Sequence, residues 1–193
     1  MPATTPTPTY HHGDLRRALV EAAVATVAAS GPAALSLRAL AAQVGVSHAA
    51  PVHHFKDKAG LFTAVATEGF GLLADQLTEA WEESGEFLNV GVRYVQFALS
   101  HRGHFEVMFR PELLNVADPD LLAAQHAAYA LLRGPVAAGR RGKEDHGAFP
   151  VVLASWSIVH GLATLILGGN LIGVDLTEPE PLIRRVLSHL QVV

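Results

Sequence analysis

The chain has 193 residues, half of them hydrophobic, with a formal net charge of −4 and no cysteine. This length supports a substantial buried core in one large or two small domains. The absence of cysteine excludes disulfides, thiol catalysis and thiolate metal sites, and it is consistent with a reducing compartment. No basic segment precedes an apolar run at the start, so no signal peptide is predicted and a cytoplasmic location is expected.

The charge is divided unevenly along the chain. Residues 1–60 carry five Lys and Arg against three Asp and Glu, a net charge of +2, which leaves −6 for the remainder. Five of the 11 histidines also lie in this first segment. A weakly basic segment attached to an acidic body is typical of a protein that contacts nucleic acid through one end.

The first residues predict an irregular arm followed by a helix. Residues 1–9 are rich in Pro and Thr and lack hydrophobic periodicity, which predicts a disordered arm. A helix is then predicted from Asp14 to about Ser30, where Gly31-Pro32 ends it. Its buried face is predicted to consist of Leu15, Leu19, Ala23 and Val27, which recur every four residues.

The segment 36–58 predicts two short helices joined by a tight turn. Ser36 is a suitable N-cap for the first helix, and Gly45 can adopt the left-handed conformation that ends it. Ser47 is predicted to cap the second helix, which would continue to about His54 and hold Pro51 near its fourth position. Two helices joined by such a turn are the geometry of a helix-turn-helix.

The rest of the chain predicts a helical bundle. Residues 57–83 form one long amphipathic segment, with Asp57 as its N-cap. Gly139–Gly147 is charged and rich in glycine, which predicts an exposed loop. Arg102-Gly103 is predicted to break a helix at residues 86–100, and a short helix is predicted to follow through Phe105, Met108 and Phe109. Further helices are predicted at residues 118–132 and 179–190 and within the apolar stretch 148–174.

Three motifs in the N-terminal region carry a family resemblance. They are Tyr10–Leu19 (YHHGDLRRAL), Leu37–Val46 (LRALAAQVGV) and His54–Lys58 (HFKDK) followed by Leu61. With these motifs in this order, the chain resembles the TetR family of transcriptional regulators. The resemblance implies an all-α homodimer with an N-terminal three-helix helix-turn-helix DNA-binding head at residues 10–56. A larger C-terminal helical bundle at residues 57–193 would bind ligand and form the dimer.

The resemblance also implies that the second helix of the helix-turn-helix reads DNA. Val52 stands where the family often has a Tyr that contacts the DNA backbone, and it is suited to contact a thymine methyl instead. Lys58 lies beside a helix N-terminus, whose free N–H groups suit a phosphate. The predicted DNA contacts are Ser36, Arg38, Ser47, His48, Ala49, Val52, His53, His54 and Lys58.

An uncharged stretch from Ala148 to Val174 is long enough to cross a bilayer. His160 lies at its centre, and the small residues Ala154, Gly161 and Gly168 recur every seven positions. That spacing favours close helix packing in a soluble dimer over a membrane-attached protein. No membrane partner is therefore predicted.

The same stretch carries a second resemblance. Trp156 and His160 share a helical face and, with Gly161, match the W-x-x-x-H-G pattern of a C-terminal domain class among TetR-type regulators, the WHG domain. The resemblance implies a cavity inside the body, and its aromatic and polar candidates suit a lipophilic small-molecule effector. Core packing is the alternative role for each candidate alone. The candidates are Tyr94, Phe97, Met108, Phe109, Tyr129, Trp156 and His160.

Together these features predict a ligand-responsive transcriptional regulator. We expect a repressor that binds a palindromic DNA operator as a dimer and is released by its effector. The alternative is a helical small-molecule-binding protein or enzyme without DNA function. No catalytic residue or cofactor is predicted, because the sequence has no glycine-rich phosphate loop and no paired-histidine motif with Glu. His101 and His104, with His126 nearby, favour structural roles over a metal site.

Overall fold

The computed structural model describes residues 12–139 and 148–189, and within these ranges the chain folds into α-helices and short turns with no strand. The predicted all-α fold is confirmed. The predicted arm at residues 1–9 and nearly all of the predicted loop at residues 139–147 lie outside the described ranges. The α-helices are α1 (His12–Ser30), α2 (Leu37–Val44), α3 (Ala50–Phe55), α4 (Lys58–Ser84), α5 (Phe87–Ser100), α6 (Arg102–Met108), α7 (Pro119–Gly139), α8 (Ala148–Leu167) and α9 (Glu180–Ser188).

The first three helices pack together as the head. α1 contacts both α2 and α3. Of its four predicted inward residues, Leu19, Ala23 and Val27 are completely buried, and Leu15, near the start of the helix, is half-buried. The Ser36 hydroxyl accepts a hydrogen bond from the Ala39 N–H at 3.5 Å, which confirms the predicted cap of α2. Gly45 has a φ of 76° and ends α2 in the left-handed conformation that glycine adopts without strain.

α3 begins later than the sequence predicts. The Ser47 carbonyl accepts a hydrogen bond from the Ala50 N–H at 3.0 Å, so Ser47 lies in a turn and does not cap the helix. Pro51 is consequently the second residue of α3, and the predicted fourth position is wrong. The missing N–H of proline costs nothing there, because the first N–H groups of a helix have no intrahelical partner. This preference of proline for the first turn outweighs the capping preference of serine.

α4 is the longest helix and connects the head to the body. Asp57 caps it by accepting a hydrogen bond from the Gly60 N–H at 2.8 Å, as predicted. α4 contacts α1 and α3 near its start and α5, α6 and α7 along its length. Its predicted inward residues are all buried: Leu61, Val65, Phe70, Leu73 and Leu77.

Three helices of the body differ from their predicted bounds. Arg102 and Gly103, which are predicted to break a helix, are instead the first two residues of α6, where Gly103 packs closely against α1. Gly134-Pro135 predicts an end to α7 near Leu132, yet the helix continues to Gly139. Proline removes one backbone hydrogen bond, but its fixed φ is compatible with a helix, and the buried Leu121 and Leu132 hold α7 in the core. α9 spans Glu180–Ser188 within the predicted 179–190, and it buries Ile183 and Leu187.

α8 packs against α5, α7 and α9 along one side and is exposed along the other. Val159, Leu162 and Ala163 are buried, whereas Phe149 and Leu153 are exposed. Within the part of the chain that the structure describes, α8 has the length and apolar composition that a membrane-spanning helix requires. A core helix of a soluble protein has the same two properties.

Candidate functional site

The predicted DNA contacts lie in the head, from the cap of α2 at Ser36 through the turn and α3 to the first residue of α4, Lys58. Ser36, Arg38, Ser47, His48, Ala49, Val52 and His53 are exposed. Val52 is 49% exposed. His54 and Lys58 are half-buried.

Contacts inside the head orient α3. The buried Phe55 anchors the end of the helix, and the Arg16 guanidinium from α1 lies over its ring at 5.2 Å. The His54 ring packs against His53 on one side and Phe55 on the other. The Lys58 ammonium lies 5.3 Å from the Phe62 ring, so its stem packs on α4 while its charge stays at the surface beside α3.

A hydrogen-bonded chain of three aromatic side chains joins α5 to α8 in the body. The indole N–H of Trp156 donates to the Tyr94 hydroxyl oxygen at 3.2 Å, and that oxygen lies 3.0 Å from Nδ1 of His160. Tyr94 is fully buried, and burial raises its pKa far above the usual value, so it remains a neutral phenol. Burial lowers the pKa of His160, which favours the neutral imidazole.

The hydrogen bonds among Trp156, Tyr94 and His160 determine the tautomer of His160. Trp156 can only donate, so the Tyr94 oxygen is its acceptor. The Tyr94 O–H is buried, and the one acceptor offered to it among the described residues is Nδ1 of His160. An unsatisfied buried hydroxyl would cost about 1–3 kcal/mol, so the hydroxyl donates and the imidazole proton resides on Nε2. That Nε2–H makes no hydrogen bond to a described residue and is not buried.

His160 lines a cavity of about 330 Å³ between α6 and the C-terminal half of α8. The Phe109 ring lies edge-on to His160 with centroids 4.7 Å apart, and Phe105 lies at 5.2 Å. Phe105, Phe109 and Leu167 form the apolar wall. The polar lining consists of Arg102, Glu106, Arg110, His160 and Thr164.

The seven predicted ligand contacts divide into three groups. Phe109 and His160 line the cavity directly. Three others do not line it but connect to His160: Tyr94 is hydrogen-bonded to His160, and Trp156 is hydrogen-bonded to Tyr94. Tyr129 packs edge-on against Trp156, with ring centroids 5.7 Å apart. The remaining two lie in the core and do not line this cavity: Phe97 and Met108 are fully buried.

Sequence reasoning missed the charged residues at the cavity. Arg102, Glu106 and Arg110 follow one another at four-residue steps, and Phe105 and Phe109 repeat the same step beside them. This spacing is the signal that could have revealed a cavity wall along α6 and the two residues that follow it. It is obscured in the sequence because the helix is short and flanked by irregular segments.

Neighbouring histidines of α6 have structural contacts. The His104 side chain is buried, and its Nε2 lies 2.9 Å from a carboxylate oxygen of Glu68 on α4. The His101 ring stacks on Phe97 at 4.6 Å. Within the described residues, no group of three or more His, Asp or Glu side chains is arranged to hold a metal ion.

α6 also forms the junction between body and head. Gly103 lies against α1 so closely that a Cβ at this position would be 2.3 Å from the carbonyl oxygen of Val24. On its other side, Met108 and His104 lie against Gly69 of α4, where a Cβ would be 2.7 Å from the Met108 sulfur. The helix that walls the cavity is therefore fixed between the head and the long connecting helix.

Family comparisons cover both parts of the chain. Residues 19–65 match the family of bacterial regulatory proteins called the tetR family, and residues 87–190 match the tetracyclin repressor-like C-terminal domain. No functionally curated protein matches the chain in sequence.

Solved structures with the same fold come from several bacteria. A protein of unknown function from Rhodococcus sp. RHA1 is 35% identical, with 95% of this chain and 94% of that one covered and a TM-score of 0.77. A tetR-family regulatory protein from Rhodococcus RHA1 is 18% identical, with 90% and 93% covered and a TM-score of 0.65. The Bacillus subtilis regulator FadR, in complex with stearoyl-CoA, is 15% identical, with 89% and 96% covered and a TM-score of 0.64. The last two likenesses, at such low identity, show the fold alone.

The family match at residues 87–190 alone covers more than half of the chain, and the match at residues 19–65 falls on the helix-turn-helix. The chain belongs to the TetR family of bacterial transcriptional regulators.

Proposed function

We propose that this regulator is a repressor that binds a palindromic operator and dissociates from it when a small effector binds in the cavity between α6 and α8. The observation that carries the proposal is the double contact of α6. α6 lines the cavity with Phe105 and packs through Gly103 against the backbone of α1. A ligand that displaces α6 would therefore displace the head.

Close packing supports this coupling. A Cβ at Gly103 would overlap the Val24 carbonyl, so α1 and α6 cannot slide past each other without a discrete repacking. Packed elements of this kind change between separate arrangements and do not deform gradually. An effector that binds one arrangement more tightly shifts the population toward it. Release requires that DNA bind the other arrangement more tightly, and by linkage DNA then lowers the affinity for the effector by the same factor.

A homodimer supplies the second head. The outer side of α8 exposes Phe149, Leu153 and Leu165, and a Cβ at Gly161 would meet no atom within 4 Å. This apolar face, left open in one chain, suits a copy of itself across a two-fold axis. Two α3 helices about 34–36 Å apart would then enter successive major grooves.

The effector is proposed to be a largely apolar molecule of modest size. The cavity volume of about 330 Å³ is near the lower end of the usual range for ligand sites, roughly 300–1,000 Å³. Aromatic rings form much of its wall.

A soluble dimer with the exposed side of α8 covered is also the form expected for a cytoplasmic regulator.

The test is enrichment of DNA from a pool of randomised duplexes by the purified protein, followed by sequencing. We expect an inverted repeat whose half-sites are separated by about one helical turn. Enrichment of no common sequence would contradict the proposal and favour a helical small-molecule-binding protein or enzyme without DNA function. A variant with Val52→Ser and His53→Ser serves as control, because both side chains are exposed on α3 and their loss should abolish the enrichment.

A further inference from the structure

We infer that the cavity between α6 and α8 selects an organic acid, with the carboxylate held by Arg110 and the Nε2–H of His160 and the apolar body against Phe105 and Phe109. This inference rests on the proposed effector site and narrows its ligand to one chemical class. To the expected lipophilic effector it adds one charged group, the carboxylate, and names the residues that bind it.

The charges at the cavity favour an anion. Arg102 and Glu106 neutralise each other through an ion pair of 3.0 Å within α6. Arg110 lines the same cavity and has no acidic partner among the described residues. One cationic group is thus left for a ligand. A guanidinium forms a fork of N–H donors that matches the two oxygens of a carboxylate.

The polar atoms at the cavity also favour an acceptor. The hydrogen-bonded chain from Trp156 through Tyr94 leaves His160 with its proton on Nε2, and that N–H lacks a described partner. The Thr164 hydroxyl already donates to the His160 carbonyl at 2.8 Å. A carboxylate accepts from both Arg110 and His160, whereas an ammonium group would have to approach two donors.

The apolar wall sets the remainder of the ligand. Phe105 and Phe109 contact each other and His160 through ring centroids 4.7 to 5.2 Å apart, which leaves a continuous aromatic surface. Leu167 and the backbone at Gly168 extend that surface toward the end of α8. An aliphatic or aromatic chain on the acid would be covered there, and the burial of its apolar surface would stabilise the complex.

The test compares three probes with the same ten-carbon chain: decanoate, decanol and decylamine. Binding is followed by fluorescence of a Trp81→Phe variant, which leaves Trp156 beside His160 as the single tryptophan. We expect decanoate to bind about tenfold or more tightly than the other two, as a charge-assisted hydrogen bond predicts. Arg110→Gln should remove that preference and leave decanol unchanged. Arg93→Gln, which alters a half-buried arginine paired with Glu79 and Glu83 away from the cavity, should retain it.

Equal binding of the three probes, tighter binding of decanol or decylamine, no binding of any, or a preference that persists in Arg110→Gln would overturn the inference. DNA binding of the same preparations separates this result from the proposed function. A protein that binds operator but prefers neutral ligands remains a regulator with a different effector. A protein that prefers decanoate but binds no DNA keeps the site and loses the regulatory function.

The role of Tyr94 has its own readout. ¹⁵N spectra of the histidine-labelled protein should show His160, assigned by its loss in His160→Gln, with its proton on Nε2. Tyr94→Phe removes the hydroxyl that donates to Nδ1, so the signal should move toward a mixture of tautomers and decanoate affinity should fall. A proton on Nδ1 in the unsubstituted protein would contradict the assigned geometry, and a fall in affinity without a tautomer change would reduce Tyr94 to a packing role.

Discussion

Gly60 allows the end of α3 to approach the start of α4 closely. A Cβ at this position would lie 1.9 Å from the carbonyl oxygen of Phe55, which is backbone and cannot rotate away. Gly60→Ala should therefore separate α3 from α4 and lower the free energy of unfolding by about 1–3 kcal/mol. Urea denaturation measures the change.

The matched control lies in the same helix. A Cβ at Gly71 would meet no atom within 4 Å, so Gly71→Ala should raise the free energy of unfolding by roughly 0.5–1 kcal/mol through helix propensity alone. If the two alanine variants were equally stable, the close approach of Phe55 to α4 would be wrong.

His160 predicts a loss of stability in acid. Burial lowers its pKa in the folded protein below the ordinary 6.5, and His101 is shifted in the same direction, mainly by its burial. Below about pH 6.5 the unfolded chain therefore binds more protons than the folded one, and the free energy of unfolding falls as the pH drops toward the folded pKa values.

Urea unfolding at several pH values between about 7.5 and 5 tests this prediction. His160→Gln should make the fall in unfolding free energy shallower, because one of the groups responsible is removed. His126→Gln, at an exposed position on α7, is the control and should retain the original slope. Equal slopes in both variants would show that His160 does not resist protonation.

At the scale of elements, the start of α4 is the proposed phosphate contact of the head. The ammonium of Lys58 is held near the Phe62 ring at the surface beside α3. Lys58→Ala should weaken binding to specific and scrambled DNA alike and reduce the slope of log affinity against log salt. The reduction should be about 0.9 per phosphate, or roughly 1.8 for two heads. Arg93→Gln, a cation outside the head, should leave the slope unchanged.

Local chemistry made the elements of the head predictable from sequence. Ser36, Gly45 and Asp57 act within three or four residues of themselves, so a cap or a glycine stop can be recognised without knowing the fold. The predicted start of α3 is wrong because Ser47 and Pro51 each favour a different first residue for the helix. The sequence pattern does not show which of these two preferences is stronger.

The cavity could not be predicted to the same extent. Tyr94 and His160 are 66 residues apart, and only the packing of α5 against α8 brings them together. Residue type alone pointed to His160 and Phe109 but equally to Phe97 and Met108, which are core residues. Arg110 was missed because an exposed arginine after a short helix is common, and only the shape of the folded chain gives it a cavity to line.

At the scale of the whole molecule, the exposed side of α8 is the proposed contact between two copies. Leu153 is 44% exposed there, and Leu153→Glu should separate the dimer because two carboxylates would face each other across the two-fold axis. Analytical ultracentrifugation should detect a monomer. Leu122→Glu is the control, since this leucine is 39% exposed but lies on α7. A dimer that survives Leu153→Glu would place the contact elsewhere.

The central claim is that the head reads a DNA sequence in a form that the body controls. Its most direct test is a fluorescence-anisotropy titration of the full chain against a labelled duplex from upstream of its own gene, at two salt concentrations. We predict binding that exceeds that to a scrambled duplex and that weakens as salt increases, because phosphate contacts position the head and α3 reads the bases. Equal and weak affinity for both duplexes at both salt concentrations would contradict the account.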